Sequence, residues 1–404
     1  MNRKIVVSGV GCCLLDRIFN AVSFSSPRFQ AYLSRRPSDG GLVPGKLEFE
    51  EEFERFAGWP FPEVLEQLTE GRGADCENIG GPCIVGLIHA AQLTQSVADV
   101  HYYGCRGGDK VGEQLMALLG RTPVQLSHYG VEAGFETAST SVFSDPDYDE
   151  GHGERIFVNT IGASWRYLPQ QLPEAFFQSD ICFFGATALV PPIHEALDGL
   201  LPKAKSQGAF TLVTTVYDNL SERRGVSRWP LGTSDESYRY IDLLVTDREE
   251  ALRLSGTSSV SEALDFFRRQ GVGAAVVTDG SREVRFFASS PLFGHIPETA
   301  IPVSAAVTAE LKQGRRGDTT GCGDNFAGGM LASLVWQMEQ GRAALSLMEA
   351  CCWGVVSGGY ACFYVGGTWF ESAPGEKLSQ LKPYYDAYVR QLEADGLIDN
   401  PMNK

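Results

Sequence analysis

Asp324 follows the pair Gly321 and Gly323, which flank Cys322, at the point in GDTTGCGDNFAGG (residues 317–329) where an apolar helical spacing begins. The glycines let the backbone turn tightly, so that the N–H groups of Gly321, Cys322 and Gly323 can point one way. Phe326, Met330, Leu334 and Met338 then recur with helical periodicity. The loop therefore delivers unpaired N–H groups together with the positive end of a helix dipole, an anion site suited to a phosphate or to charge developing on one. An isolated Gly-Asp reads as a dipole-matched surface carboxylate. Here the glycines supply fixed dipoles and Asp324, in the first helical turn, supplies a base. Phosphoryl transfer to an alcohol needs both.

Other chemistry-bearing patterns fail on inspection. In GGLVPGKL, Gly40, Gly45 and Lys46 have P-loop spacing, but Leu47 stands where Ser or Thr must bind magnesium and no strand precedes. Asp145, Asp147 and Asp149 resemble a calcium loop, but Glu150 replaces the glycine and Ile156 the bidentate Glu. GVGCCL lacks the third glycine of a dinucleotide fingerprint, with Leu14 in its place. The ten cysteines show no C-x-x-C and no zinc spacing with histidine, and read as reduced, mostly buried thiols of a cytoplasmic protein. Cys322 is the exception. A thiol at a helix N-terminus is expected at a lowered pKa and should alkylate faster than its buried counterparts.

The elements that must position these groups alternate. KIVVSGVG is a buried strand, and VHYYGCRGGDKVGEQLMALLGRT reads as strand, glycine turn and helix. DICFFGAT, AFTLVTTV, IDLLVTD and GAAVVTDG are four further apolar runs, with helical segments such as REEALRLSG and VSEALDFFRRQG between or after them. The alternation predicts an α/β fold with a mainly parallel central sheet flanked by helices. Two stretches break the rhythm. Residues 17–75 hold an acidic amphipathic insertion in which Phe49, Phe53, Phe56 and Trp59 need a surface to cover, whether strands of a cover, the main body or a second subunit of a homodimer. Residues 134–165 alternate around DPDYDEGHGE and predict a β-hairpin. Both are candidate insertions for a small β-rich lid within one kinase domain over 1–404.

Charge and hydropathy exclude several roles. With 50 acidic against 34 basic residues the net charge is −16, a surface that repels nucleic acid and anionic membranes. The start MNRKIVVSGVGCC has too short an apolar run for a signal peptide, and Asp16 follows soon after. The uncharged run Ala350–Phe370 contains five glycines, at 354, 358, 359, 366 and 367, and reads as a small-residue helix, a turn and a strand rather than a membrane span.

DTTGCGDNFAGG resembles the second signature of the ribokinase-like (PfkB) carbohydrate kinase family, and other matches are collinear with it. VSGVGCCLLD resembles the family's first strand, IGGPCIVGLIHAAQL its double-glycine motif, YYGCRGGDKVGEQL the segment after it, VTDREEALRLSG its Asn-x-x-Glu segment and VVTDG a nucleotide-binding turn. The resemblance implies an ATP-dependent kinase that phosphorylates a sugar or sugar-like hydroxyl. Asp324 would be the base, and Gly321, Cys322 and Gly323 the anion hole. Asp16, Gly80 and Gly81 would hold substrate, and Thr278, Gly280 and Thr319 the nucleotide. Asp247 and Glu250 would organise Mg2+ through water, and Asp318 is a candidate for a monovalent cation such as K+. Three positions depart from the pattern. Cys322 replaces a small residue. Asp247 replaces the Asn of Asn-x-x-Glu. Val85 stands where a substrate-reading Asn is common, which argues against ribose-like sugars. A nucleoside kinase of the same fold and a non-catalytic sugar or nucleotide sensor are the alternatives.

Overall fold

The computed structural model describes residues 3–398 except 21, 37, 38, 152 and 316, so His152 of the expected hairpin tip lies outside the described residues. In chain order the strands are β1 (Ile5–Gly11), β2 (Leu14–Phe19), β3 (Leu47–Phe49), β4 (Cys76–Gly80), β5 (Ala98–Gly107), β6 (Gln125–Glu132), β7 (Ser139–Asp145), β8 (Glu154–Thr160), β9 (Ile181–Gly185), β10 (Phe210–Thr214), β11 (Leu243–Asp247), β12 (Ala274–Thr278), β13 (Glu283–Ala288) and β14 (Ile296–Pro302). Nine of them form one sheet in the order β14-β13-β12-β11-β10-β9-β1-β5-β6, parallel from β12 to β6 with β13 and β14 antiparallel at one edge. Side chains alternate between its two faces. Ile181 and Phe183 of β9 enter one core, lined by the helices Pro82–Thr94, Cys322–Glu339 and Leu347–Ala361. Cys182 and Phe184 enter the other, with the helices Leu197–Ser206 and Val260–Arg269. Burial on both faces is why these strands read as continuous apolar runs.

The remaining five strands form a second sheet, β3-β8-β7-β2-β4. The expected hairpin is there, as β7 and β8 pair antiparallel from Ser139↔Thr160 to Asp145↔Glu154. The insertion adds the helices Pro27–Tyr32, Glu50–Ala57 and Phe61–Thr69, and these cover the sheet's outer face. Phe53 and Phe49 are buried, and Phe53, Phe61, Val64 and Leu68 close over Phe19, Phe143, Ile156 and Val158. The aromatic stripe thus covers strands of its own sheet, and Trp59, at 56% exposed, does not join it. Arg223 of the main body clasps the insertion through Glu48 at 2.7 Å and Glu52 at 2.6 Å.

The uncharged run 350–370 forms no strand. Its helix ends at Ala361, and Thr368 spends its backbone N–H and C=O on the side chain of Asn78, at 3.2 and 3.0 Å, rather than on a ladder. No described helix is long and apolar enough to cross a membrane.

Candidate active site

Gly321 starts the helix Cys322–Glu339 in the left-handed conformation, with φ 72° and no side-chain cap. A Cβ there would also strike Gly367 Cα at 2.7 Å, so only glycine fits. The first N–H groups of this 18-residue helix are left for a ligand. Cys322 N–H leans on Thr319 O at 3.4 Å, a long contact, while nothing lies within 4 Å of where a side chain of Gly323 would be. Asn325, fully buried, ties the loop down: its Nδ2 donates to Gly321 O at 2.8 Å and Gly367 O at 2.9 Å. Sequence reasoning had no reason to single it out.

Asp324 opens onto a cleft of about 130 Å³ whose lining also includes Gly323, Asp247, Glu250, Thr278 and Thr215. Five expected site residues thus meet in one cavity at the C-terminal ends of β10, β11 and β12, where parallel sheets bind ligands. The surrounding protein desolvates the Asp324 carboxyl and pushes it up to about 7, although the residue keeps some surface open to the cleft. Burial, with the negative charges of Asp318 and Asp324, also raises Asp16 to about 7. A base must be deprotonated to accept a hydroxyl proton, so kcat/KM should fall on the acid side with a midpoint near 7. A profile flat down to pH 5 would contradict that role.

Glu250 is raised to about 8 by burial and by Asp247, and it accepts a hydrogen bond from the Thr215 hydroxyl. Asp247 caps the helix Arg248–Ser255, one carboxylate oxygen accepting from Glu250 N–H at 2.8 Å. Among the described residues no group of three or more His, Cys, Asp or Glu could hold a metal by itself. A pair of carboxylates beside a phosphate site fits magnesium, which keeps waters and takes phosphate oxygens as ligands. Asp318 is already engaged: it accepts from Thr320 N–H at 2.8 Å and Gly366 N–H at 3.2 Å, lacing the loop to residues 364–366. A K+ ion would have to share it with those donors. Gly280 lies in the turn between β12 and β13, outside the lining of the cleft.

The second sheet lines no part of this cleft, but its Asp16 lies near enough to Asp318 and Asp324 to feel their charge. Register places Asn78, Asp16, Thr140 and Asn159 side by side across β4, β2, β7 and β8. Gly80 lies directly under this row, since a Cβ there would sit 2.2 Å from Asp16 Oδ2, and Gly81 starts the helix Pro82–Thr94. Asn78 is spent on the 365–368 loop, and Asn159 Nδ2 donates to Thr140 Oγ1 at 3.0 Å, so Asp16 and the remaining polar atoms of Asn159 are what the row can offer. Arg155 of β8 reaches across to the anion loop. It donates to Thr319 Oγ1 at 2.6 Å and to Thr320 Oγ1, and stands 4.0 Å from Asp318. Its alternation with Ile156, on the face away from the second sheet's core, is the signal that could have found it.

Val85 is 2% exposed, packed in the main core and outside the lining of the cleft. One expectation fails. Cys322 is not activated. Its Sγ contacts Cys362 Sγ at 3.4 Å, and this contact, with burial, raises Cys322 well above the usual thiol range while lowering Cys362. A tertiary neighbour overrides the helix dipole.

Known proteins share this fold. A model of the pfkB family of carbohydrate kinases matches residues 85–368. Aminoimidazole riboside kinase of Salmonella typhimurium is 25% identical over 264 residues, 62% of this chain and 74% of the relative. Adenosine kinase from Sinorhizobium meliloti superposes with a TM-score of 0.68 at 20% identity, covering 94% of this chain and all of the other. A putative ribokinase II from E. coli, solved with ATP and Mg2+, gives 0.60 at 15% identity, over 95% and 99% of the two chains.

Proposed function

The chain belongs to the pfkB carbohydrate kinase family, a phosphotransferase with an alcohol acceptor, and we propose that it moves the γ-phosphate of ATP to a hydroxyl of a sugar or nucleoside with Asp324 as base. The observation that carries this reading is the cleft that brings Asp324 and Gly323 together with Asp247, Glu250 and Thr278. The acceptor lies between the row Asp16–Thr140–Asn159 and Asp324, its hydroxyls bonded to the row and one of them facing the base. The transferring phosphoryl group meets the N–H groups of Gly323 and its neighbours at the helix N-terminus. Asp247 and Glu250 would hold magnesium through water, and the ion would supply neutralisation of phosphate charge. The second sheet acts as a lid that excludes water, and Arg155 is its arm to the phosphates.

A nucleoside acceptor has one specific observation in its favour. Phe157 shares the face of Asn159 and is only half-buried, which gives the flat side of a base an apolar surface beside the hydroxyl row.

Acceptor-dependent ATP consumption over pentoses, hexoses, sugar phosphates and nucleosides tests the proposal. At least one acceptor should stimulate turnover, and failure of all classes with folded protein would reject it. With the best acceptor, amide exchange in 17–75 and 134–165 should slow. Unchanged exchange in both under saturating acceptor would reject the lid.

A further inference from the structure

Seven of the ten cysteines are buried, and burial raises the thiol in each of them. Cys76, Cys322 and Cys362 keep some exposure, and only the last two are neighbours. Their sulfurs are 3.4 Å apart, although 40 positions separate them in the chain. They straddle the seam on which the anion loop is hung. Cys322 is the first helical residue after Gly321, and Cys362 O accepts from Gly317 N–H at 2.8 Å. One step further along the same seam, Tyr364 O accepts from Asp318 N–H at 3.0 Å. The contact with Cys322 is the main cause that lowers the Cys362 thiol; Asp318 raises both thiols and Arg155, more weakly, lowers them.

We propose that Cys322 and Cys362 are a modification site: a dithiol that a peroxide converts to a disulfide, switching off the anion loop reversibly. The Cys362 thiolate attacks one peroxide oxygen, breaking the O–O bond and leaving a sulfenic acid and hydroxide. Cys322 then attacks the sulfenic sulfur. The S–S bond forms, the S–O bond breaks and water leaves with the proton of the second thiol. Overall two thiols and one hydrogen peroxide give one disulfide and two waters, and a dithiol reductant reverses the step by exchange. A disulfide spans about 2.05 Å, so the sulfurs must close by more than an ångström. The shift falls on the first residue of the helix whose N–H groups face the phosphate, one position from Gly323. Displacements of about 1 Å at a catalytic centre can cost on the order of 10²-fold in rate.

The test treats the full-length protein with hydrogen peroxide, digests it without reductant and reads cross-linked peptides by mass spectrometry, beside turnover with ATP and the best acceptor of the screen. The 322–362 cross-link should appear as turnover falls roughly 10- to 100-fold, and dithiothreitol should reverse both. Cys362→Ser, and Cys362→Ala if the serine variant folds poorly, should keep basal turnover and lose the sensitivity. The cross-link is read by mass alone, so it stands or falls apart from any choice of acceptor. Full turnover in cross-linked protein, absence of the cross-link in peroxide-inactivated protein, or equal inactivation of a folded Cys362 variant would each overturn the proposal.

Discussion

Asp324→Asn should lower kcat by roughly 10²–10⁴ and leave KM close to its original value. Asparagine keeps the size and the hydrogen-bonding reach of the side chain, but its amide cannot take a proton from the attacking hydroxyl. In the proposed arrangement the ground-state contacts to the acceptor come mainly from the second sheet and those to the phosphates from backbone N–H groups, neither of which the substitution removes. The acid limb near pH 7 should vanish from kcat at saturating acceptor, while the limb that Asp16 adds to kcat/KM stays, a split that a folding defect would not produce. Near-normal turnover in a folded variant, with the limb intact, would assign the base elsewhere.

Arg155→Met is expected to give the second large loss. The side chain is 18% exposed and links β8 to Thr319, Thr320 and the neighbourhood of Asp318. Methionine preserves much of its apolar stem and its packing on Phe157, while it removes the charge. Hydrogen bonds to charged groups contribute about 1.5–3 kcal/mol each, so losing one to the transferring phosphate should cost roughly 10- to 100-fold in kcat/KM. Arg155→Lys should recover part of it through charge without the bidentate fork. A methionine variant with unchanged kcat/KM would reduce Arg155 to a structural tie between the sheets.

What could be read in the chain was what is local. The anion loop and Asp324 lie within eight residues, and glycine chemistry plus helical spacing expose them without any long-range contact. Strands β1, β5 and β9–β12 were legible because both faces are covered and their apolar runs are continuous. Strands β6 and β14 were not, since they lie at the sheet's edges, are partly exposed and carry mixed residues. Strand β2 begins three residues after β1 ends, so the chain passes from one sheet to the other without a turn signal. The row Asp16–Thr140–Asn159 exists only as cross-strand register, and no spacing along the chain encodes it. The same holds for Arg155 and for Cys362, whose partners are 164 and 40 positions away. Cys322 was misjudged for this reason: the dipole of its own helix was visible, and the sulfur beside it was not.

The central claim is that this cleft transfers a phosphoryl group directly from ATP to a bound hydroxyl, with Asp324 taking the proton. Single-turnover transfer of label from the γ-phosphate of ATP to the best acceptor of the screen tests it most directly. The account predicts label covalently on the acceptor, formed at a rate that Asp324→Asn abolishes while both ligands still bind. Label released as inorganic phosphate, or transferred by the asparagine variant at the unaltered rate, would contradict it.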